Sequence, residues 1–343
     1  NVWAPAGTVG KRGAALPVAM WIHGGAFVNG YGNEVEMDGE AWAERGVILV
    51  TINYRLGMLG FLSHPALSAE NGGRSGNYGL MDQIAALRWI HDNIAQFGGD
   101  SANVTILGQS AGAMSVKHLC TSPEAKPYIT RAIIQSGGGI GGASIAPETD
   151  AQARYDSLGK AILDLGGYAD AEALRSAPVA DLIACADKYN QLNNTWVRFA
   201  PHNDGVTLTE DFDTAVYAST VADIPYMIGC NAQDYAGLGG ASVDRFSAVR
   251  DSLSDKPVFQ YFFKRDLPGE HDDDFPQMDG AFHSSELWYM FGTQDRSWRP
   301  FTEADKALSA RMLDAWTGFA RNGNPGWPAI TAEDPHVEVF DIE

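Results

Sequence analysis

Ser110 lies in Gly108-Gln109-Ser110-Ala111-Gly112, between Asn103-Val104-Thr105-Ile106-Leu107 and Ala111-Gly112-Ala113-Met114-Ser115-Val116. The first flanking run reads as a strand and the second as a helix. A serine hydroxyl is a poor nucleophile near neutral pH. A sharp strand-to-helix turn lifts it off the end of a sheet, toward a base. Glycines two residues to either side leave room where the chain folds so tightly. The helix that follows aims its first free N–H groups, partially positive, at the place where an oxyanion would form. The chemistry such a turn supports is attack on a carbonyl carbon with an acyl-enzyme intermediate. For the five-residue pattern alone, an ordinary βα turn is the plain alternative.

A second element weighs against that alternative. Pro17-Val18-Ala19-Met20-Trp21-Ile22 has a buried-strand pattern and runs into His23-Gly24-Gly25-Ala26-Phe27. Small residues after a strand let backbone N–H groups point into a cleft. Those of Gly25 and Ala26, with that of Ala111, could hold a tetrahedral oxyanion. A flexible turn would also explain Gly24 and Gly25, but both elements in this order make coincidence a poor account.

Further stretches extend the pattern: Asn53-Tyr54-Arg55-Leu56-Gly57 with Gly60-Phe61-Leu62, Gly76-Asn77-Tyr78-Gly79-Leu80-Met81-Asp82-Gln83, Ala86-Leu87-Arg88-Trp89-Ile90 and Phe97-Gly98-Gly99-Asp100. Gln135-Ser136-Gly137, Ile228-Gly229-Cys230-Asn231 and His283-Ser284-Ser285-Glu286-Leu287 complete it. In these motifs the chain resembles the type-B carboxylesterases, the cholinesterase-like branch of the α/β-hydrolases. The resemblance implies one α/β-hydrolase domain over 1–343, and the helical pattern from Thr149, rich in Ala and Asp, reads as a cap or lid inserted at about 149–200. The resemblance also implies a serine carboxylic-ester hydrolase with a catalytic triad, an oxyanion hole and no cofactor.

In this fold the order along the chain is serine, acid, histidine. Of eight histidines, His202, His271, His283 and His336 follow Ser110. The family's acid lies in an Asn-x-x-Glu-Gly run, matched here by Asn231-Ala232-Gln233-Asp234-Tyr235, so the resemblance assigns the acid to Asp234. Its rivals are Glu210, Asp211, Asp213 and Glu286; the first three stand in a polar loop where exposure is the default, and Glu286 is too close to His283 along the chain. His202 then precedes the acid, His271 sits in an acidic loop, and His336 leads into an edge-strand pattern. The family's catalytic histidine falls on His283, which occupies a short loop. By the same resemblance His23 orders the oxyanion loop and Ser136 supports the acid through its hydroxyl. Gln109 stands where many relatives have glutamate, which weakens any case for a cationic, choline-like substrate.

Phe27, Trp196, Tyr235, Phe282 and Trp288 lie beside these motifs or on the cap side, and some are expected to line an apolar pocket. Small hydrophobic or aromatic esters are the expected substrates, with cinnamoyl or feruloyl esters as the alternative. A non-catalytic binding protein on the same fold would typically lack a triad member, and here all three are present.

The elements that must position these residues are legible in outline. The chain has 343 residues, 45% of them hydrophobic, enough for one large α/β domain with a sizeable core. Strand patterns at 18–22, 47–52, 104–107, 132–135, 225–228 and 259–263 alternate with helical ones at 80–97 and 111–119. This alternation argues for a mostly parallel sheet with helices on both faces. Residues 337–340 read as a late edge strand. Leu308, Met312, Trp316 and Phe319 recur at helical spacing before Asn322-Gly323-Asn324-Pro325 stops the helix. The glycine-rich run 137–142 lacks the lysine of a phosphate-binding loop.

The net charge of −19 argues against nucleic acid or an anionic membrane as partner. No apolar run approaches the length of a transmembrane span. Cys120, Cys185 and Cys230 read as small buried hydrophobes, and no cluster suggests a metal. Asn1-Val2-Trp3-Ala4-Pro5 resembles an internal segment of the family, so further strands are expected before it. The stretch from Asp234 to Pro257 is short for the family.

Overall fold

The computed structural model describes residues 1–11, 13–141, 151–269 and 279–342. Among these, eight strands form one sheet: β1 (Val2–Trp3), β2 (Leu16–Ile22), β3 (Ile48–Thr51), β4 (Gly99–Gln109), β5 (Arg131–Gln135), β6 (Tyr226–Asn231), β7 (Val258–Phe263) and β8 (Glu338–Phe340). Their spatial order is β1-β3-β2-β4-β5-β6-β7-β8. β1 runs antiparallel to β3, and all other neighbours are parallel.

The strands are apolar at successive positions because both faces of the sheet are covered. Val18, Met20 and Ile22 of β2 face one core with Ile106 and Ile134. Ala19 and Trp21 face the other with Leu107, Ile133 and Tyr261. Helices Tyr78–Asn93 and Ala111–Thr121 cover the first face through Ile84, Leu87, Val116 and Leu119. Helix Glu303–Asn322 covers the second through Met312, Trp316 and Phe319. A capping box between Thr302 and Asp305 starts this last helix, and Gly323 at φ 80° ends it.

Pairing moves several boundaries from those expected. β4 begins at Gly99, ahead of position 104, because Gly99 pairs with Leu16. β6 continues to Asn231, past position 228, because Gly229, Cys230 and Asn231 pair with Tyr261, Phe262 and Phe263. The helical pattern at 80–97 divides into Tyr78–Asn93 and a tighter turn, Ile94–Phe97, closed by Gly98 at φ 90°.

Helices Ala151–Leu163, Ala171–Ser176 and Val179–Asn193 lie between β5 and β6 in the chain. Ile162, Leu163, Leu174 and Leu182 pack there against Met58 and Leu62, in a third apolar cluster. The Asp156 carboxylate accepts a hydrogen bond from Ser68 Oγ at 2.8 Å, tying this region to the body. No helix among the described residues is long and apolar enough to cross a membrane.

β2, β4, β5 and β6 are mutually parallel, so their carboxyl ends share one edge of the sheet. His23, Ser110, Ser136 and Asp234 all follow those ends within three residues. This is the edge at which open α/β sheets bind ligands.

Candidate active site

Ser110 has φ 58° and ψ −125°, a conformation costly for a residue with a Cβ. The turn is held where its N–H donates to the Gln135 carbonyl at 2.9 Å. Both flanking glycines are required. A Cβ on Gly108 would lie 2.5 Å from the Gly112 carbonyl carbon, and one on Gly112 would overlap the Ile22 carbonyl oxygen. The glycine-rich loop after β2 passes against this turn. A Cβ on Gly24 would sit 3.1 Å from Ser110 Cβ and 2.9 Å from the Gln109 carbonyl oxygen. Gly25, Ala26 and Phe27 follow with φ of 102°, 54° and 65°. The N–H groups of Gly25, Ala26 and Ala111 have no backbone acceptor among the described residues.

His283 and Asp234 meet across 49 residues of sequence. Nδ1 of His283 lies 2.5 Å from Oδ1 of Asp234, and both side chains are largely buried. The other Asp234 oxygen accepts the Asn231 N–H at 2.8 Å. Tyr235 packs against the His283 ring, with centroids 4.7 Å apart. The Gln109 amide lies 3.2 Å from His283 Nε2, and no hydrogen bond joins Ser110 Oγ to that ring among the described residues. Productive hydrogen bonds of this kind often tighten only once substrate is bound.

The remaining candidates separate. His23 is buried and stacked on Tyr54, and burial lowers its pKa. His202 is buried against Tyr155, with Nε2 3.3 Å from the Gln152 amide oxygen. His336 pairs with Glu338, and His271 lies outside the described residues. Glu210 accepts from Thr220 Oγ1, and Asp213 accepts the Gly141 N–H at 2.7 Å. Asp211 is buried rather than exposed, because it caps helix Phe212–Tyr217.

The hydroxyl expected to support the acid does not do so. Ser136 is buried at φ 50°, and its Oγ has no hydrogen-bond partner among the described residues. Asn231 holds Asp234 in its place. The aromatic candidates also divide. Phe27 and Phe282 are buried, Trp288 packs against the second core, Tyr235 touches His283, and Trp196 is 75% exposed.

The Carboxylesterase family profile matches residues 1–255 and 242–340. The chain belongs to the carboxylesterase family. The para-nitrobenzyl esterase of Bacillus subtilis is 32% identical over 402 residues, covering 100% of this chain and 78% of that one. The fumonisin B1 esterase of Sphingopyxis macrogoltabida is 40% identical over 266 residues, 76% of this chain and 44% of that one. A solved PNB esterase structure superposes with a TM-score of 0.83 at 29% identity, covering 100% and 79% of the two chains. This carboxylesterase has the α/β-hydrolase fold and is a carboxylic ester hydrolase.

Three residues of this carboxylesterase join the network behind Asp234 more closely than their sequence context suggests. Glu286 is fully buried behind Asp234, between the Asn231 amide at 2.6 Å and the Gln135 amide at 3.3 Å. Burial, with the charge of Asp234, raises its pKa to about 7. Trp316 Nε1 donates to Gln135 at 3.0 Å and so continues the chain of contacts into the second core. Proximity to His283 in sequence argues against Glu286 as an acid, and its place just before the apolar helix Leu287–Met290 is the local signal of its burial. Asn231 was visible only as the first residue of the acid's motif.

Proposed function

We propose that this carboxylesterase hydrolyses small hydrophobic or aromatic esters through a triad of Ser110, His283 and Asp234. The observation that carries the reading is the 2.5 Å contact between His283 and Asp234, at the sheet edge that also bears the Ser110 turn. Asp234 fixes the imidazole tautomer, with its proton on Nδ1, and stabilises the charged ring that forms later. In the free protein the Gln109 amide lies at Nε2, and substrate entry brings the Ser110 hydroxyl to that nitrogen instead.

His283 then removes the hydroxyl proton as Ser110 Oγ bonds to the ester carbonyl carbon. The N–H groups of Gly25, Ala26 and Ala111 stabilise the resulting oxyanion. The intermediate collapses, the C–O bond to the alcohol breaks, and His283 returns its proton to the departing oxygen. Water attacks the acyl-enzyme, gives a proton to His283 and releases the acid with Ser110 restored. No step needs a cofactor. The helices from Ala151 to Asn193 act as the cap of this single domain. Tyr235, exposed and against His283, lines the mouth. The names of the para-nitrobenzyl and PNB relatives support aromatic esters as the class to test first.

An organophosphate should add one covalent mass to the peptide containing Ser110 and abolish activity. Labelling at Ser115 or Ser136 with Ser110 untouched overturns the reading. A panel of p-nitrophenyl esters of rising chain length, with one cinnamoyl ester, separates the two substrate classes.

A further inference from the structure

We propose that Tyr54 is a positioning residue for the oxyanion hole, acting through His23 on the peptide plane that carries the Gly25 N–H. The inference rests on the assignment of Gly25 as an oxyanion donor. The Tyr54 hydroxyl donates to the His23 carbonyl oxygen at 2.9 Å. The tyrosine ring stacks on the His23 imidazole, with centroids 4.4 Å apart and planes 19° from parallel. His23 Nδ1 lies 2.8 Å from the Gly24 carbonyl oxygen. A carbonyl only accepts, so Nδ1 carries the proton. Nε2 is buried without a hydrogen-bond partner among the described residues, and burial lowers the ring's pKa. The ring is therefore neutral, with its one proton on Nδ1.

A trans peptide is planar, and its C=O and N–H point in opposite directions. Turning the Gly24 oxygen toward His23 therefore turns the Gly25 N–H away from it. The preceding plane, the His23 C=O with the Gly24 N–H, is held by Tyr54. One stacked pair thus clamps two successive planes. The loop needs such support, because Ala26 and Phe27 both have positive φ and do not hold that backbone cheaply. Gly30 leaves the space in which His23 sits. A Cβ there would lie 2.6 Å from His23 Nδ1 and 2.7 Å from the Gly24 oxygen. Burial also raises the Tyr54 pKa, so the hydroxyl remains a donor at any pH where the protein works.

An aryl trifluoromethyl ketone tests this, since it adds to a nucleophilic serine as a hemiketal whose oxygen takes the oxyanion's place. Fluorine NMR titration reads the pKa of that hemiketal in the wild type, Tyr54→Phe and Gly30→Ala. Phenylalanine keeps the ring and loses only the hydroxyl. We expect Tyr54→Phe to lower kcat by about tenfold at unchanged KM and to raise the hemiketal pKa by about one unit. A residue that only supports the fold would not move the hemiketal pKa. Gly30→Ala, at φ 98°, crowds both the His23 ring and the Gly24 oxygen and should give the same rise, which keeps the test open if Tyr54→Phe does not fold. An unmoved hemiketal pKa in either folded variant overturns the proposal. A wild-type protein that forms no hemiketal at Ser110 overturns the assigned mechanism itself, a different result from an adduct that is indifferent to Tyr54.

Discussion

Oδ1 of Asp234 meets Nδ1 of His283 at 2.5 Å while Oδ2 of the same carboxylate accepts the Asn231 N–H at 2.8 Å. One oxygen faces the imidazole and the other is anchored to the end of β6. This division lets the short side chain of Asp234 reach the ring while its second oxygen stays fixed to the backbone. The backbone of Asn231–Asp234 brings the shorter side chain to the ring, because β6 runs on to Asn231.

Replacing Asp234 with Asn keeps the shape, removes the charge and favours the wrong imidazole tautomer. We expect kcat to fall by up to about 10⁴-fold with the fold intact, by analogy with serine proteases. Glu286→Gln in the same assay should cost far less. A loss under about tenfold for Asp234→Asn, with the large loss at Glu286, would move the acid to the second carboxylate.

Glu286 should make stability depend on pH. Its carboxyl has a pKa of about 7 in the folded protein against an ordinary 4.5. Below 4.5 both folded and unfolded chains hold the proton, and the contribution of the protonated group is fully present. As pH rises the unfolded chain ionises first, so stability is lost progressively until pH passes about 7. Relative to Glu286→Gln, the wild type should lose up to roughly 3 kcal/mol between pH 4.5 and pH 8. Urea unfolding of both proteins across that range measures it. A gap between them that does not change with pH rules out titration of Glu286 there.

The space at Gly112 is occupied by the Ile22 carbonyl oxygen. Gly112→Ala must therefore push β2 and the Ser110 turn apart, and with them the glycine loop that follows Ile22. Displacing reacting groups by about 1 Å can cost about 10²-fold in rate. We expect kcat/KM to fall by at least that factor in protein that remains folded by circular dichroism. Near-normal turnover would mean that the turn tolerates the shift.

Gln109 places a neutral amide beside His283. A butyrate ester of a neutral alcohol should show higher kcat/KM than butyrylcholine. Gln109→Glu should narrow that ratio by up to about fivefold, the worth of a partly solvated ion pair. Preference for butyrylcholine in the unaltered protein would reveal an aromatic cation site.

The parts of the site legible in the sequence are those built from neighbouring residues. The Ser110 turn and the loop at Gly24-Gly25 depend on which backbone angles and which close approaches each residue allows, and glycine spacing records both. The sheet was legible for the same local reason, since apolar strands alternate with helical periodicity. Its order, with β2 between β3 and β4, came only with the fold.

Contacts between strand ends had no local signature. Asp234 against His283, Glu286 enclosed by two amides, and Tyr54 stacked on His23 all depend on how far each strand runs before it turns. A shift of one residue in the pairing of β6 with β7 would reverse which side chains face the site. The sequence by itself pointed to the class of fold and to Ser110 as the proposed nucleophile, because both readings reside in short runs of residues. Only the tertiary structure decided that His283 meets Asp234, that Gln135 meets Glu286 and that Tyr54 meets His23, because those contacts depend on distances between segments far apart in the chain.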